Sequence, residues 1–161
     1  MAVSADFQRQ LAGYGLTTAE ILYHMPDHPA LLQSFIWQDL DPVGFILEFA
    51  DRICTGHGND TPIDRAVRLY YAVRDEIRYD PYSLQYSIDA LTASAVIARG
   101  YGYCVAKAVV LAAVARQQGI PAKIGFADVL NHLSTARLRQ VMGTDLFVYH
   151  GYTELYLDGK W

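Results

Sequence analysis

The chain has 161 residues, enough for one domain with a sizeable core. Its 13 basic and 17 acidic residues give a formal net charge of −4, and with no basic stripe and no long apolar run this argues against nucleic acid or a membrane as the main partner. Met1 to Gln10 lack the basic-then-apolar pattern of a signal peptide, and two cysteines outside a secretory context do not make a disulfide framework, so the expected compartment is the cytoplasm.

Ser4 to Ala12 read as a short helix ended by Gly13 and Gly15. Thr17 and Glu20 have capping-box spacing, which would make Ala19 to His24 helical. Ile21, Tyr23 and Met25 nevertheless alternate with Leu22 and His24, and Leu32 to Gln38 alternate loosely beyond the turn-like Pro26-Asp27-His28-Pro29, so two strands are preferred. Asp41-Pro42 is a cap residue followed by Pro at the first helical position, predicting a helix that runs on from Val43 to Ile53. Gly56 to Asp60 form a loop, and Thr61-Pro62-Ile63-Asp64 opens a second helix, with an apolar face at Val67, Tyr70, Tyr71 and Val73 to Ile77. Asp80-Pro81-Tyr82 ends it in an extended turn.

Thr92 caps a helix through Ala98 that breaks at Gly100. Cys104 to Gln118 form a helix apolar nearly all round and therefore buried, stopped by Gly119 with Pro121 just beyond. Ala122 to Val129 read as a strand, Asn131 to Val141 as a short helix and Leu146 to Leu157 as a strand. Asp158-Gly159 is a hairpin turn, after which Lys160-Trp161 would begin another strand. There is no internal repeat.

The residue richest in chemistry is Cys104, which follows Arg99-Gly100-Tyr101-Gly102-Tyr103 at the start of a helix. The dipole there favours negative charge and is expected to lower the thiol pKa, making an ordinary Cys a nucleophile. The bland alternative is a small buried core thiol. His150 is a base that could take the thiol proton if the fold brings the two together; otherwise it is a histidine hydrogen-bonded within a strand. Glu154 shares a strand face with His150, but about 13 Å separates them along the strand, which suits a structural or groove residue. Tyr79, Tyr101 and Tyr103 could line a substrate cleft or serve packing. The Cys104 N–H could help form an oxyanion hole, with Gln85 a weak guess for a second donor. His24 and His28 are interrupted by prolines and complete no tetrahedral set, His57 and His132 read as solvent-facing, and Cys54 reads as inert core. No cofactor is read from the chain, no metal site, and no dense carboxylate loop for calcium.

From about residue 41 to 161 the chain resembles the transglutaminase-like (papain-like) cysteine superfamily. The residues that carry this are Ile77-Arg78-Tyr79-Asp80-Pro81, Thr92-Ala93-Ser94 through Gly102-Tyr103-Cys104, Gln118-Gly119-Ile120-Pro121-Ala122-Lys123 and His150-Gly151-Tyr152-Thr153-Glu154. The resemblance implies an α+β fold with a Cys-bearing helix packed on an antiparallel sheet, and acyl-transfer or hydrolytic chemistry on amides with Cys104 and His150 as catalytic residues. It places the orienting Asp on the strand after the hairpin, so the third member is expected beyond Trp161 or from elsewhere, and the sheet is expected to be incomplete at the C-terminus. Gln10 to Tyr23, Met25 to Pro29 and Leu31 to Asp39 resemble the small bacterial Usg-like family, which has no established activity. The expected organisation is thus a Usg-like segment over 1–40 and a transglutaminase-like domain over 41–161.

The expected function is that of a cysteine enzyme acting on a protein or peptide substrate through a thioester. The alternative is an impaired transglutaminase-like domain that serves as a binding scaffold and self-associates through an unpaired sheet edge.

Overall fold

The structure, a computed structural model, describes residues 44–56, 58, 60–84, 87–130 and 135–161. The expected N-terminal helix and strands, the Asp41-Pro42 start, Gln85, and the histidines at 24, 28, 57 and 132 lie outside the described residues.

Helix α1, Phe45–Cys54, follows Gly44, whose φ of 73° is left-handed and whose cap has no side-chain hydrogen bond. Ile46, Phe49, Ala50 and Cys54 recur at helical spacing and are the residues it buries. Helix α2, Pro62–Glu76, starts as its sequence dictates. The Asp64 N–H donates to Thr61 Oγ1 at 3.2 Å and the Thr61 N–H donates to Asp64 Oδ2 at 3.0 Å, a reciprocal capping box with Pro at the first position. Its inner stripe is Ala66, Leu69, Ala72 and Val73. The helix stops at Glu76, and the chain turns extended at Ile77 into a two-residue strand, β1, Arg78–Tyr79, where the sequence predicts a helix carried on to the Asp80-Pro81-Tyr82 turn.

Helices α3, Ile88–Leu91, and α4, Ala93–Arg99, lead to β2, Tyr101–Gly102. Thr92 caps α4 and a left-handed Gly100 closes it. Strand β2 runs parallel to β1, with Arg78 opposite Tyr101 and Tyr79 opposite Gly102. The central helix α5, Cys104–Gln117, buries Ala106, Ala108, Val109, Val110, Ala112, Val114 and Ala115, so it is enclosed on nearly all sides as its composition predicted. It packs on α1, α2 and α4 and also on the sheet of β3, Ala122–Leu130, and β4, Leu146–Leu155. These last two strands pair antiparallel, from Ala122 opposite Leu155 to Leu130 opposite Leu146. Helix α6, Ala136–Met142, connects them and is capped by Thr135. Beyond β4, Asp158 and Gly159 take φ of 48° and 79°, and Leu157 and Lys160 exchange backbone bonds of 2.8 and 3.0 Å, the tight turn read from Asp-Gly.

The fold is α+β, with the Cys-bearing helix packed on an antiparallel sheet. Leu69, Ile120, Val96, Val110 and Val114 are the largest fully buried side chains. Burial outweighs capping here: Leu69→Ala should lower stability by about 3 kcal/mol and Thr61→Ala by about 1 kcal/mol, read from urea midpoints.

Candidate active site

Cys104 is the first residue of α5, and the cap residue Tyr103 makes no side-chain cap bond. A helix start without a capping side chain leaves its first N–H groups to other acceptors. The approach to it is held from two sides. The Arg99 guanidinium donates to Tyr101 O at 2.9 Å and to Ala90 O, fixing β2. Backbone bonds from Arg78 to Gly100 O (2.9 Å) and from Asp80 to Gly102 O (3.0 Å) fix Tyr79 beside that turn.

Strand β4 crosses the first turn of α5 at Gly151. A Cβ on Gly151 would stand 2.9 Å from both Val105 Cα and Val105 Cγ2, so only glycine allows this approach. Two residues on, Thr153 Oγ1 donates to Ala108 O at 2.9 Å and pins the strand to the helix. One residue before Gly151 is His150. The ladder slips between Ala127 and Val129, so that Val148 and Tyr149 together face Asp128. This is a bulge, with Tyr149 at φ 54° and its N–H donating to Asp128 Oδ1 at 3.1 Å. Bulges re-aim the side chains that follow them. The His150 ring meets the Phe147 ring edge-on, with centroids 6.4 Å apart.

Cys104 and His150 line one cavity of about 380 Å³, together with Tyr79, Lys107, Gly151 and Tyr152 among others. Lys107 is not free: its Nζ donates to Val73 O (2.8 Å), Arg74 O (3.0 Å) and Ile77 O, closing the C-terminal end of α2 and tying it to α5. Tyr152 lies over Gly125, where a Cβ would run into its ring.

The expectation of a lowered thiol pKa is overturned. Burial pushes Cys104 up, and the N–H groups of Gly151, Val105 and Cys104 itself only partly offset it. Burial also pushes His150 down. The Tyr79 residue is 44 % exposed, but its hydroxyl is desolvated in the cavity wall. That desolvation, with the Cys104 sulfur nearby, pushes it up to about 12. Thiol, imidazole and phenol are therefore all neutral near pH 7.

Of the other predicted residues, Glu154 pairs with Lys123 at 2.7 Å and accepts from Tyr152 Oη at 3.2 Å, the structural part its distance from His150 implied. Tyr101 and Tyr103 are not in the cavity lining: Arg78 and Arg99 stack over Tyr101, and Tyr103 packs against the core. Burial likewise raises the thiol of Cys54, which is buried in the core. Among the described residues no group of three or more His, Cys, Asp or Glu is placed to hold a metal ion, and no helix is long and apolar enough to cross a membrane. No carboxylate among the described residues hydrogen-bonds the His150 ring.

A sequence profile of the transglutaminase-like superfamily matches residues 48–161, well over half of the chain. The chain belongs to that superfamily. The Usg-like family matches residues 10–45, and the protein Usg of Caulobacter vibrioides is 66 % identical over 38 residues, which are 24 % of this chain and 43 % of that protein. A solved structure, that of a candidate protease from Parabacteroides distasonis, aligns at a TM-score of 0.54 and 17 % identity over 81 % of this chain and 24 % of its own. A likeness of that degree is one of fold. The chain spans less than half of the first relative and about a quarter of the second.

In this transglutaminase-like domain the alkylation of Cys104 should follow the raised thiol. The thiolate fraction stays small until the pH exceeds the ordinary value for a free thiol, so the iodoacetamide rate should inflect above that value. In Gly151→Val the strand is pushed off Val105, the sulfur gains water, and the inflection should move down toward that of a free thiol. An inflection in the native protein below the ordinary value would contradict the burial argument.

Proposed function

We propose that this transglutaminase-like protein is a cysteine enzyme of the cytoplasm, of bacterial type, that forms a thioester at Cys104 from an amide or peptide donor and passes the acyl group to water or an amine. The observation that carries this reading is the placement of the Cys104 thiol and the His150 imidazole in one cavity, at a helix start whose cap residue Tyr103 makes no side-chain cap bond. Two free cysteines suit a reducing compartment.

Because both groups are neutral, the resting site is a thiol beside an imidazole, and the proton moves as the sulfur attacks. His150 accepts it, the Sγ–carbon bond forms, and the carbonyl oxygen becomes negative. The Cys104 N–H is one donor for that oxygen. Tyr79, which lines the same cavity and pairs with Gly102 two residues before the nucleophile, is the second: its phenol is protonated at neutral pH and can donate. The imidazolium then gives its proton to the leaving amine, which departs with the electrons of the carbon–nitrogen bond. Water or a second amine repeats the sequence in reverse.

Cys104→Ala should abolish acyl transfer, and His150→Gln should lower it by roughly 10²-fold or more. Tyr79→Phe should lower kcat by about 10²-fold with KM little changed, because the lost bond is to the transition-state oxygen. The rate should fall with decreasing pH only below the ordinary imidazole value, as His150 is protonated late. Full activity in Cys104→Ala would sink the reading.

A second reading, self-association along the sheet, draws support from Leu130 and Val148, each 56 % exposed near the far end of the β3–β4 ladder. Light scattering should then show dimers at high concentration; a clean monomer overturns it.

A further inference from the structure

The cavity extends well past the nucleophile. Cys104, Lys107, Ala108 and Leu111 all line it, and their spacing puts them on one stripe of α5. From Cys104 to Leu111 the helix rises about 10 Å. Tyr70 and Val73 of α2 form the facing wall, and Thr153 of β4 the third side.

Three polar groups along this trough are already engaged. Thr153 Oγ1 is bonded to Ala108 O at 2.9 Å, and Lys107 Nζ to the carbonyls of Val73, Arg74 and Ile77. Arg74 pairs with Asp75 at 2.6 and 2.8 Å. What remains to meet an occupant is Val73, Ala108, Leu111 and the tyrosine rings. No carboxylate or side-chain amide stands among the described residues that line it. A cationic or carboxamide group entering there would exchange its water for tyrosine hydroxyls alone.

Connectivity decides which half of the substrate lies in the trough. The leaving group must reach His150 for its proton, and the acyl carbon is bonded to Cys104 Sγ. The acyl half therefore takes the run from Cys104 toward Leu111. We propose that the acyl group carried by Cys104 bears an apolar aliphatic chain, seated along the α5 trough between Tyr70, Val73 and Thr153. This rests on the reading of Cys104 as the nucleophile.

The test uses the full chain in excess over p-nitrophenyl acetate, butyrate, hexanoate and octanoate. In each case the Sγ–carbon bond forms, the ester carbon–oxygen bond breaks, p-nitrophenolate leaves with the electron pair, and the thiol proton passes to His150. Rates are divided by those of N-acetylcysteine with the same ester. The normalised rate should rise roughly three- to fourfold per methylene until the trough is filled. Leu111→Trp should cut the octanoate-to-acetate ratio at least about tenfold, and Leu111→Ala should shift the preference to longer chains. A second arm compares N-acetyl-leucine and N-acetyl-glutamine p-nitrophenyl esters. A steep chain-length series points to a free acyl chain, and a leucine preference points to a peptide; either supports the apolar class. Acylation of Cys104 with a flat or falling series and no leucine preference overturns the proposal while the nucleophile stands. No acylation by any ester, and no labelling by iodoacetamide, overturns both.

Discussion

The close approach of β4 to the first turn of α5 at Gly151 is the contact from which the rest of the site follows. A single β-carbon there would meet Val105 at 2.9 Å, so the strand can lie on the helix only because that position has no side chain. The approach brings the Gly151 N–H to the Cys104 sulfur, sets His150, the residue before Gly151, in the cavity that Cys104 also lines, and lets Thr153 bond the helix carbonyl of Ala108. The same packing encloses the sulfur. The contact that assembles the pair is thus also what desolvates it.

That desolvation decides the electrostatics. A helix terminus contributes about half a charge, worth about 1 kcal/mol at most surface sites, whereas burial can shift a group by several pKa units, each about 1.4 kcal/mol. At Cys104 burial wins over the N–H groups, and at His150 it acts with little opposition. The site is therefore suited to a proton transfer coupled to attack.

Much of this was legible in the sequence, because it depends on local chemistry. Thr61-Pro62 and Asp64 form a cap wherever they occur before an amphipathic run, the apolar residues of 104–118 allow only a buried helix, and Asp158-Gly159 turns a chain on its own. The unread parts depend on tertiary placement. Strands β1 and β2 are two residues each, too short to show a period, and yet their pairing is what sets Tyr79 beside Gly102. That Tyr79 lines the cavity was available only as one of three candidate tyrosines. Tyr101 and Tyr103 are separated from it by their stacking and packing, which no spacing reveals. The sign of the Cys104 shift needed the strand that covers it.

The bulge before His150 has a consequence for how this sequence can drift. Tyr149 is held left-handed, a conformation that an ordinary side chain adopts at about 1–2 kcal/mol, and Asp128, twenty-one residues away, steadies it by accepting its N–H. Replacing Tyr149 by glycine would relax the backbone, and replacing Asp128 would release it. The first change would be benign or helpful to folding and the second mildly costly, and both would loosen the aim of the imidazole. Two positions outside the cavity lining, twenty-one residues apart, therefore form an evolutionary couple, whose substitutions are registered in the aim of the imidazole.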